Sequence, residues 1–376
     1  MLGDPSGNNT LCALAREEVR NRERGRVAPL KAIDAIEAAA LLPFEQGITR
    51  EEALFDECLF NAGIPVLLKE ISQEALDRGM SAIRKIYADS VQQGRNTQEN
   101  VEKRLKLIQP TLSYDGFGEV DIIVEAVSES LDLKRQLFTE LERVSRANAI
   151  LASSTSSPEI DRLARTTSRP DMVLGHHFIA HDTVRLLEIV RGEASAATAI
   201  ASSMALAKKL GKIGVLVGNC RDFVGSRMYL AYQGEAQFLV REGARVQDVD
   251  AALYNFGMAR GSLAAVGLPG NSARTISAME IVDRTVYALI NEGARILGEG
   301  MALRASDIDI ICVHGYGFPA QRGGPMWFPD TVGVANIYAR VREFERIHGA
   351  HWTPAPLLER LAANGKTFAD YDANRT

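Results

Sequence analysis

The chain has 376 residues, 46% of them apolar and 24% charged, which at roughly 100 to 200 residues per domain sets two or three globular domains and excludes a disordered or collagen-like chain. Lysine and arginine total 43 against 48 acidic residues, a net charge of −5, and so slight an acidic excess gives no electrostatic footprint for nucleic acid or an anionic membrane. The four cysteines, Cys12, Cys58, Cys220 and Cys312, lie far apart with no Cys-x-x-Cys pair, so neither a disulfide framework nor a zinc or other metal site is written into the sequence. The longest apolar run, Ala38 to Phe44, is far below the ~20 residues of a membrane span. The opening MLGDPSGNNTL has no basic start and no apolar stretch, which makes a cytoplasmic, small-molecule protein the expectation.

In chain order, a densely charged stretch from Arg16 to Arg26 leads into Leu30, Ile33, Ile36, Ala40 and Leu41 at helical spacing, broken at Pro43-Phe44. Thr49 and Glu52 form a capping box for a second helix ending near Asn61 and Gly63. From Pro65 to Gly218, β-rich runs alternate with helical patterns, the mark of parallel strands joined by crossover helices. The strands fall at Pro65–Ile71, Asp121–Val127, Ala149–Ser153, Met172–Phe178, Arg185–Arg191 and Ile213–Val217. Leu76, Met80, Ile83 and Tyr87 mark one intervening helical face, and Leu133, Leu137 and Leu141 another. This predicts an α/β doubly wound sheet.

Beyond Asn219 the strand signals stop and an all-α region begins. Arg227, Glu242-Gly243, Asp248-Val249-Asp250, Phe256-Gly257 and Arg260-Gly261 are echoed by Arg284, Glu299-Gly300, Asp307-Ile308-Asp309, Tyr316-Gly317 and Arg322-Gly323, about 60 residues further on, as in a duplicated helical unit with small loop insertions. The domain reading is a helical linker-like segment 1–62, an α/β domain 63–218, and a helical domain 219–376 with related halves 219–270 and 277–376.

Three strand ends carry chemistry: Ser153-Ser154-Thr155-Ser156-Ser157, Gly175-His176-His177-Phe178, and Leu186-Leu187-Glu188-Ile189-Val190. In a doubly wound sheet the carboxyl ends of neighbouring strands converge on one crevice. A histidine held by a carboxylate through one nitrogen can take a proton from a substrate hydroxyl with the other. Hydroxyl, imidazole and carboxylate together suit alcohol oxidation, with either His176 or His177 as the base; the plain alternative is a pair of core or loop histidines.

With these motifs in this order, the sequence resembles the L-3-hydroxyacyl-CoA dehydrogenase part of multifunctional fatty-acid β-oxidation enzymes. LASSTSS is similar to the family's Ser-Asn-Thr-Ser segment, GHHF to its Gly-x-His-Phe segment and RLLEIVRG to the strand bearing its catalytic glutamate. KKLGKIGVLVGNCRDFVGSR and the tail from EGMALRASDIDIICVHGYGFPAQRGGP continue the match. The resemblance implies a Rossmann-like domain followed by the family's helical C-terminal domain, NAD as cofactor, and oxidation of a 3-hydroxyacyl-CoA. It implies His177 as general base, Glu188 orienting it, Ser156 bonding the 3-hydroxyl, and Ser226 where the family has a substrate-holding asparagine. Glu70, ending PVLLKE, takes the ribose-binding acidic position, and Ala126, Val127, Glu129 and Lys134, in VEAVSESLDLK, match positions near the nicotinamide ribose. Ala28–Phe44 resembles the segment joining hydratase and dehydrogenase parts. The implied partners are an acyl-CoA thioester and a second copy, or a docked hydratase or thiolase chain.

The chain departs from the family in one large respect: no Gly-x-Gly-x-x-Gly lies upstream of Glu70. That turn lets the backbone approach a pyrophosphate and aims a helix N-terminus at it. The strand before it is central, so its loss predicts two unpaired strand edges. The interval from His177 to Glu188 is one residue short, and counting back from Glu188 at the family spacing lands on His176. Two functions follow: a working NAD-linked dehydrogenase, or an impaired relative that binds acyl-CoA but holds NAD weakly or not at all.

Overall fold

The computed structural model describes residues 63–92, 94, 96–155, 159–179, 185–259 and 276–374. The two expected N-terminal helices, Ser156, and the Arg260-Gly261 pair lie outside these residues. The chain forms two units: the described residues of Met1–Glu119, with Ile179–Arg185 and Leu206–Lys212, and a larger unit of Val120–Phe178, Leu186–Ala205 and Ile213–Thr376.

In the first unit, β1 (Val66–Lys69) pairs in parallel with β2 (Ile108–Thr111), separated in sequence by α1 (Gln73–Gln92) and α2 (Gln98–Leu105). The expected face of α1 is the buried one: Met80 and Tyr87 pack with Val101 of α2 and Ile108 of β2, against Val66 and Leu68 of β1. Thr97 caps α2 by accepting the Asn100 N–H at 3.3 Å. β2 was not anticipated from the sequence. It has one buried residue, Ile108, and contains Pro110, which cannot donate to a ladder and suits only an edge.

In the second unit, β3 (Ile122–Glu125), β4 (Ile150–Ser153), β5 (Val173–Phe178), β6 (Leu186–Arg191) and β7 (Ile213–Gly218) form one sheet in that order. α3 (Leu131–Val144) follows β3, α4 (Ile160–Ala164) follows β4, and α5 (Ala197–Lys209) follows β6. Leu151, Leu174, Leu186, Leu187, Ile189 and Val190 are fully buried, the continuous apolar pattern of central strands. One expectation is corrected here: β5 and β6 are antiparallel, while the other pairs are parallel. The connection between them, residues 179–185, is shorter than the ~10 to 12 residues a crossover requires.

The strands form two separate sheets, one in each unit. Among the described residues β1 pairs only with β2, and β3 only with β4. Val124, near the end of β3, is 40% exposed.

The helical region belongs to the second unit and is tied to the sheet: Gly218 of β7 donates its N–H to the Met301 carbonyl at 2.7 Å, and Val217 bridges to Ala302. It comprises α6 (Phe223–Arg241), α7 (Val246–Phe256), α8 (Ala278–Gly298), α9 (Ala305–Gly315), α10 (Phe328–Val332), α11 (Val334–His348), α12 (Pro356–Ala363) and α13 (Phe368–Ala373). The repeat seen in the sequence is a reciprocal contact. Arg227 of α6 donates to Glu292 at 2.8 Å and Glu299 at 2.6 Å, while Arg284 of α8 donates to Glu235 and Glu242, both at 2.6 Å. Each half's arginine thus holds the other half's glutamates, which recur at the same spacing.

Candidate active site

The antiparallel register sets His177 of β5 opposite Glu188 of β6, which brings the two side chains to the same face of the sheet. His177 Nδ1 lies 2.7 Å from Glu188 Oε2, and Glu188 Oε1 accepts the Gly225 N–H at 2.9 Å from the first turn of α6. Glu188 has no solvent access, whereas the His177 side chain is 14% exposed. The carboxylate therefore sits on two donors, one of them a helix N-terminal amide whose partial charge favours an anion. With Nδ1–H engaged, Nε2 of His177 carries the lone pair and is the nitrogen that can exchange a proton.

Strand alternation turns His176 to the opposite face. There it is fully buried, its Nε2 2.9 Å from the Ser203 hydroxyl of α5, and burial pushes its pKa down to about 4. His176 is a neutral core histidine near pH 7. Between the two readings left open by the sequence, the carboxylate contact is made by His177.

Two neighbours escaped the sequence reading. Asp222 and Phe223 both have positive φ, 59° and 49°, a strained conformation for non-glycine residues. This turn starts α6 and lays the Phe223 ring against the His177 ring, centroids 5.3 Å apart. Two consecutive residues of positive φ leave no recognisable signal in Arg-Asp-Phe.

The second group lies after β3. Lys134, expected near a nicotinamide ribose, is buried and donates to Glu125 at 2.9 Å and to the Val127 carbonyl at 3.4 Å. Glu125, missed in the sequence, also accepts the Val127 N–H at 3.1 Å and the Ser153 hydroxyl. A buried ion pair is thus satisfied by hydrogen bonds that tie the Ala126–Ser130 loop to the end of β4. Glu129 accepts the Thr155 hydroxyl at 2.8 Å and lies 3.8 Å from Lys134; Ala126 is exposed beside them.

Ser226 is one residue beyond the Gly225 amide, its Oγ 3.5 Å from the Tyr316 hydroxyl. Glu70 stands in the first unit at the carboxyl end of β1, where its carboxylate accepts the Ile71 N–H at 3.3 Å. That carboxylate has acceptor sites for ribose hydroxyls as well. The pyrophosphate end has no glycine turn in the sequence. Among the described residues no cluster of ligands could hold a metal ion, and no helix is long and apolar enough to cross a membrane.

A mostly parallel nucleotide-type sheet, a histidine–carboxylate pair across its antiparallel strands and a following helical region define a dinucleotide-dependent oxidoreductase class. Comparison with known proteins makes this specific. Residues 55–220 match the family "3-hydroxyacyl-CoA dehydrogenase, NAD binding domain", and residues 223–273 and 281–369 match "3-hydroxyacyl-CoA dehydrogenase, C-terminal domain". The chain belongs to the 3-hydroxyacyl-CoA dehydrogenase family, whose cofactor is NAD.

The peroxisomal bifunctional enzyme of Danio rerio is 30% identical over 96% of this chain and 69% of that protein, and that of Homo sapiens is 31% identical over 81% and 54%. The crystal structure of 3-hydroxybutyryl-CoA dehydrogenase from Escherichia coli K12 superposes with a TM-score of 0.73 at 21% identity, over 85% of this chain and 97% of that one; it shows the same fold. The chain spans about half the length of most of the curated relatives it matches. The Danio rerio alignment runs over 507 positions against a chain of 376 residues, so a large block of that relative has no counterpart within the aligned span.

The cytoplasmic expectation is corrected by the same comparison. The relatives are named peroxisomal or glyoxysomal, which points to the peroxisome rather than the cytoplasm.

Proposed function

We propose that the chain oxidises (S)-3-hydroxyacyl-CoA thioesters to 3-oxoacyl-CoA with NAD, as a β-oxidation dehydrogenase of the peroxisome. The observation that carries this reading is the buried chain of contacts from the Gly225 amide through Glu188 to His177. His177 Nε2 takes the proton of the substrate's 3-hydroxyl. Glu188 holds the ring in the tautomer that accepts it and steadies the imidazolium that forms. NAD, when bound, supplies the acceptor for the hydride leaving carbon 3. By the family resemblance, Ser156 and Ser226 are assigned to the oxygen and thioester end of the substrate, and Glu70, Ala126, Val127, Glu129 and Lys134 to the cofactor.

The domain limits we assign are 1–62, 63–218 and 219–376. The macromolecular partner is a second copy or a docked hydratase or thiolase chain. Of the two functions read from the sequence, the family match supports the dehydrogenase.

The experiment is NAD reduction, followed at the NADH absorbance, with (S)-3-hydroxybutyryl-CoA, beside an NADH fluorescence titration of the wild type and Glu70→Ala. Turnover with saturable NADH binding that weakens in Glu70→Ala is the expected result. No turnover and no saturable binding at millimolar NADH overturns the proposal.

A further inference from the structure

Resting on the reaction proposed above, the geometry points to Tyr316 as its positioning residue: the ring seats the Gly225 amide under Glu188, and the hydroxyl fixes Ser226 toward the thioester substrate.

Tyr316 caps the end of α9, some ninety residues from Ser226 in the chain, yet it packs on the first turn of α6. A Cβ added to Gly225 would lie 2.6 Å from Tyr316 Cε2 and 2.8 Å from its hydroxyl oxygen. No backbone conformation demands a glycine there, because Gly225 is an ordinary helical residue absent from the positive-φ set. The demand comes from the hydroxyl end of the Tyr316 ring, which stands close against the residue whose amide donates to Glu188. The ring is itself held from behind by Tyr229, stacked at 5.6 Å with an interplanar angle of 27°.

The hydroxyl has a separate task. It stands 3.5 Å from Ser226 Oγ, and burial and the nearby Glu188 carboxylate keep the phenol above its ordinary pKa, so it is a neutral hydroxyl that can give or take a hydrogen bond with Ser226. A serine side chain rotates freely and is short. A hydrogen bond with Tyr316, in either direction, restricts that rotation and leaves the serine's remaining donor or acceptor capacity for a substrate group. In this arrangement Tyr316 reaches substrate only through Ser226, and His177 only through Gly225 and Glu188. The plain alternative is a core aromatic that closes a small cavity with Met228, Cys312 and Phe318.

A double-mutant cycle separates these. Tyr316→Phe, Ser226→Ala and the double variant are made in the full chain. KM and kcat are measured with (S)-3-hydroxybutyryl-CoA, and acetoacetyl-CoA binding is measured by calorimetry. Tyr316→Phe should raise KM and the acetoacetyl-CoA Kd about threefold to tenfold, the worth of one neutral hydrogen bond, with kcat within twofold. In the Ser226→Ala background the same change should add nothing. Tyr316→Leu, which removes the ring, should in addition lower kcat at least tenfold.

Unchanged Kd in Tyr316→Phe, or equal losses with and without Ser226, overturns the inference. Failure of acetoacetyl-CoA to bind the wild type overturns it too. Loss of turnover alone, with the calorimetric cycle intact, would instead count against the proposed reaction and leave the assignment of Tyr316 supported.

Discussion

Replacing Glu188 by glutamine keeps the shape of the side chain, removes one charge and turns one of its two acceptor oxygens into a donor, at a position with no solvent access. Both oxygens are in use, one by His177 at 2.7 Å and one by the Gly225 N–H at 2.9 Å. The amide can serve only one of these donors, and a buried donor left unmade costs about 1 to 3 kcal/mol. The lost attraction for an imidazolium at about 4 Å between charge centres has a ceiling of about 4 kcal/mol at an effective dielectric of 20. Together these predict that transition-state stabilisation falls by about 2 to 4 kcal/mol, or 30-fold to 1,000-fold in kcat/KM. NADH titration should give the wild-type affinity, because the substitution touches no cofactor position. A Glu188→Gln enzyme within threefold of wild type would refute the argument that this contact organises the base.

Two further outcomes concern stability. Arg284→Met leaves Glu235 and Glu242 without their shared cation in the buried half of the reciprocal network, and should cost about 3 to 5 kcal/mol in chemical denaturation; Arg227→Met, at a 16% exposed side chain, should cost clearly less, and equal losses would contradict the burial argument. Asp309 of α9 accepts the Met326 and Trp327 N–H groups at 2.7 and 3.3 Å, and burial raises its pKa from 3.8 to about 7. A carboxyl raised on folding contributes its stability below pH 4 and loses it as pH climbs through 7, so between pH 5 and pH 8 the wild type should lose up to about 3 kcal/mol that Asp309→Asn retains. Parallel melting curves for the two proteins across that range would show that Asp309 ionises freely in the folded state.

The elements that could be read from the sequence are those whose pattern is local. Ile-Leu-Ala-Ser at 150–153 and Val-Leu at 173–174 are apolar runs between polar breaks, and the Leu76–Tyr87 face has an unmistakable helical period. β2 was hidden because an edge strand needs only one buried side chain, and Pro110 argued against a strand at all. The antiparallel β5–β6 pair was available from the seven residues that separate the strands, but the parallel pattern elsewhere overrode that count. Glu125 looked like an ordinary strand end, since nothing local announces that Lys134 will fold back over it. Period-two alternation tells that His176 and His177 face opposite ways; only the register against β6 tells which of them meets Glu188. Tyr316 belongs to the same class, because a contact between α9 and the first turn of α6 has no local signature. The Arg227 and Arg284 echo was visible as a repeat, whereas its exchange of glutamates is a property of the packed helices.

The most direct test of the account compares His177→Ala with His176→Ala in NAD reduction by (S)-3-hydroxybutyryl-CoA at saturating NAD. Removing a general base should lower kcat/KM by about 10²-fold to 10⁴-fold in His177→Ala. The buried, Ser203-bonded His176 should give a less stable protein whose folded fraction turns over within a few-fold of wild type. The reverse order, with His176→Ala inactive while folded and His177→Ala active, would contradict the assignment of the base and with it the proposed site.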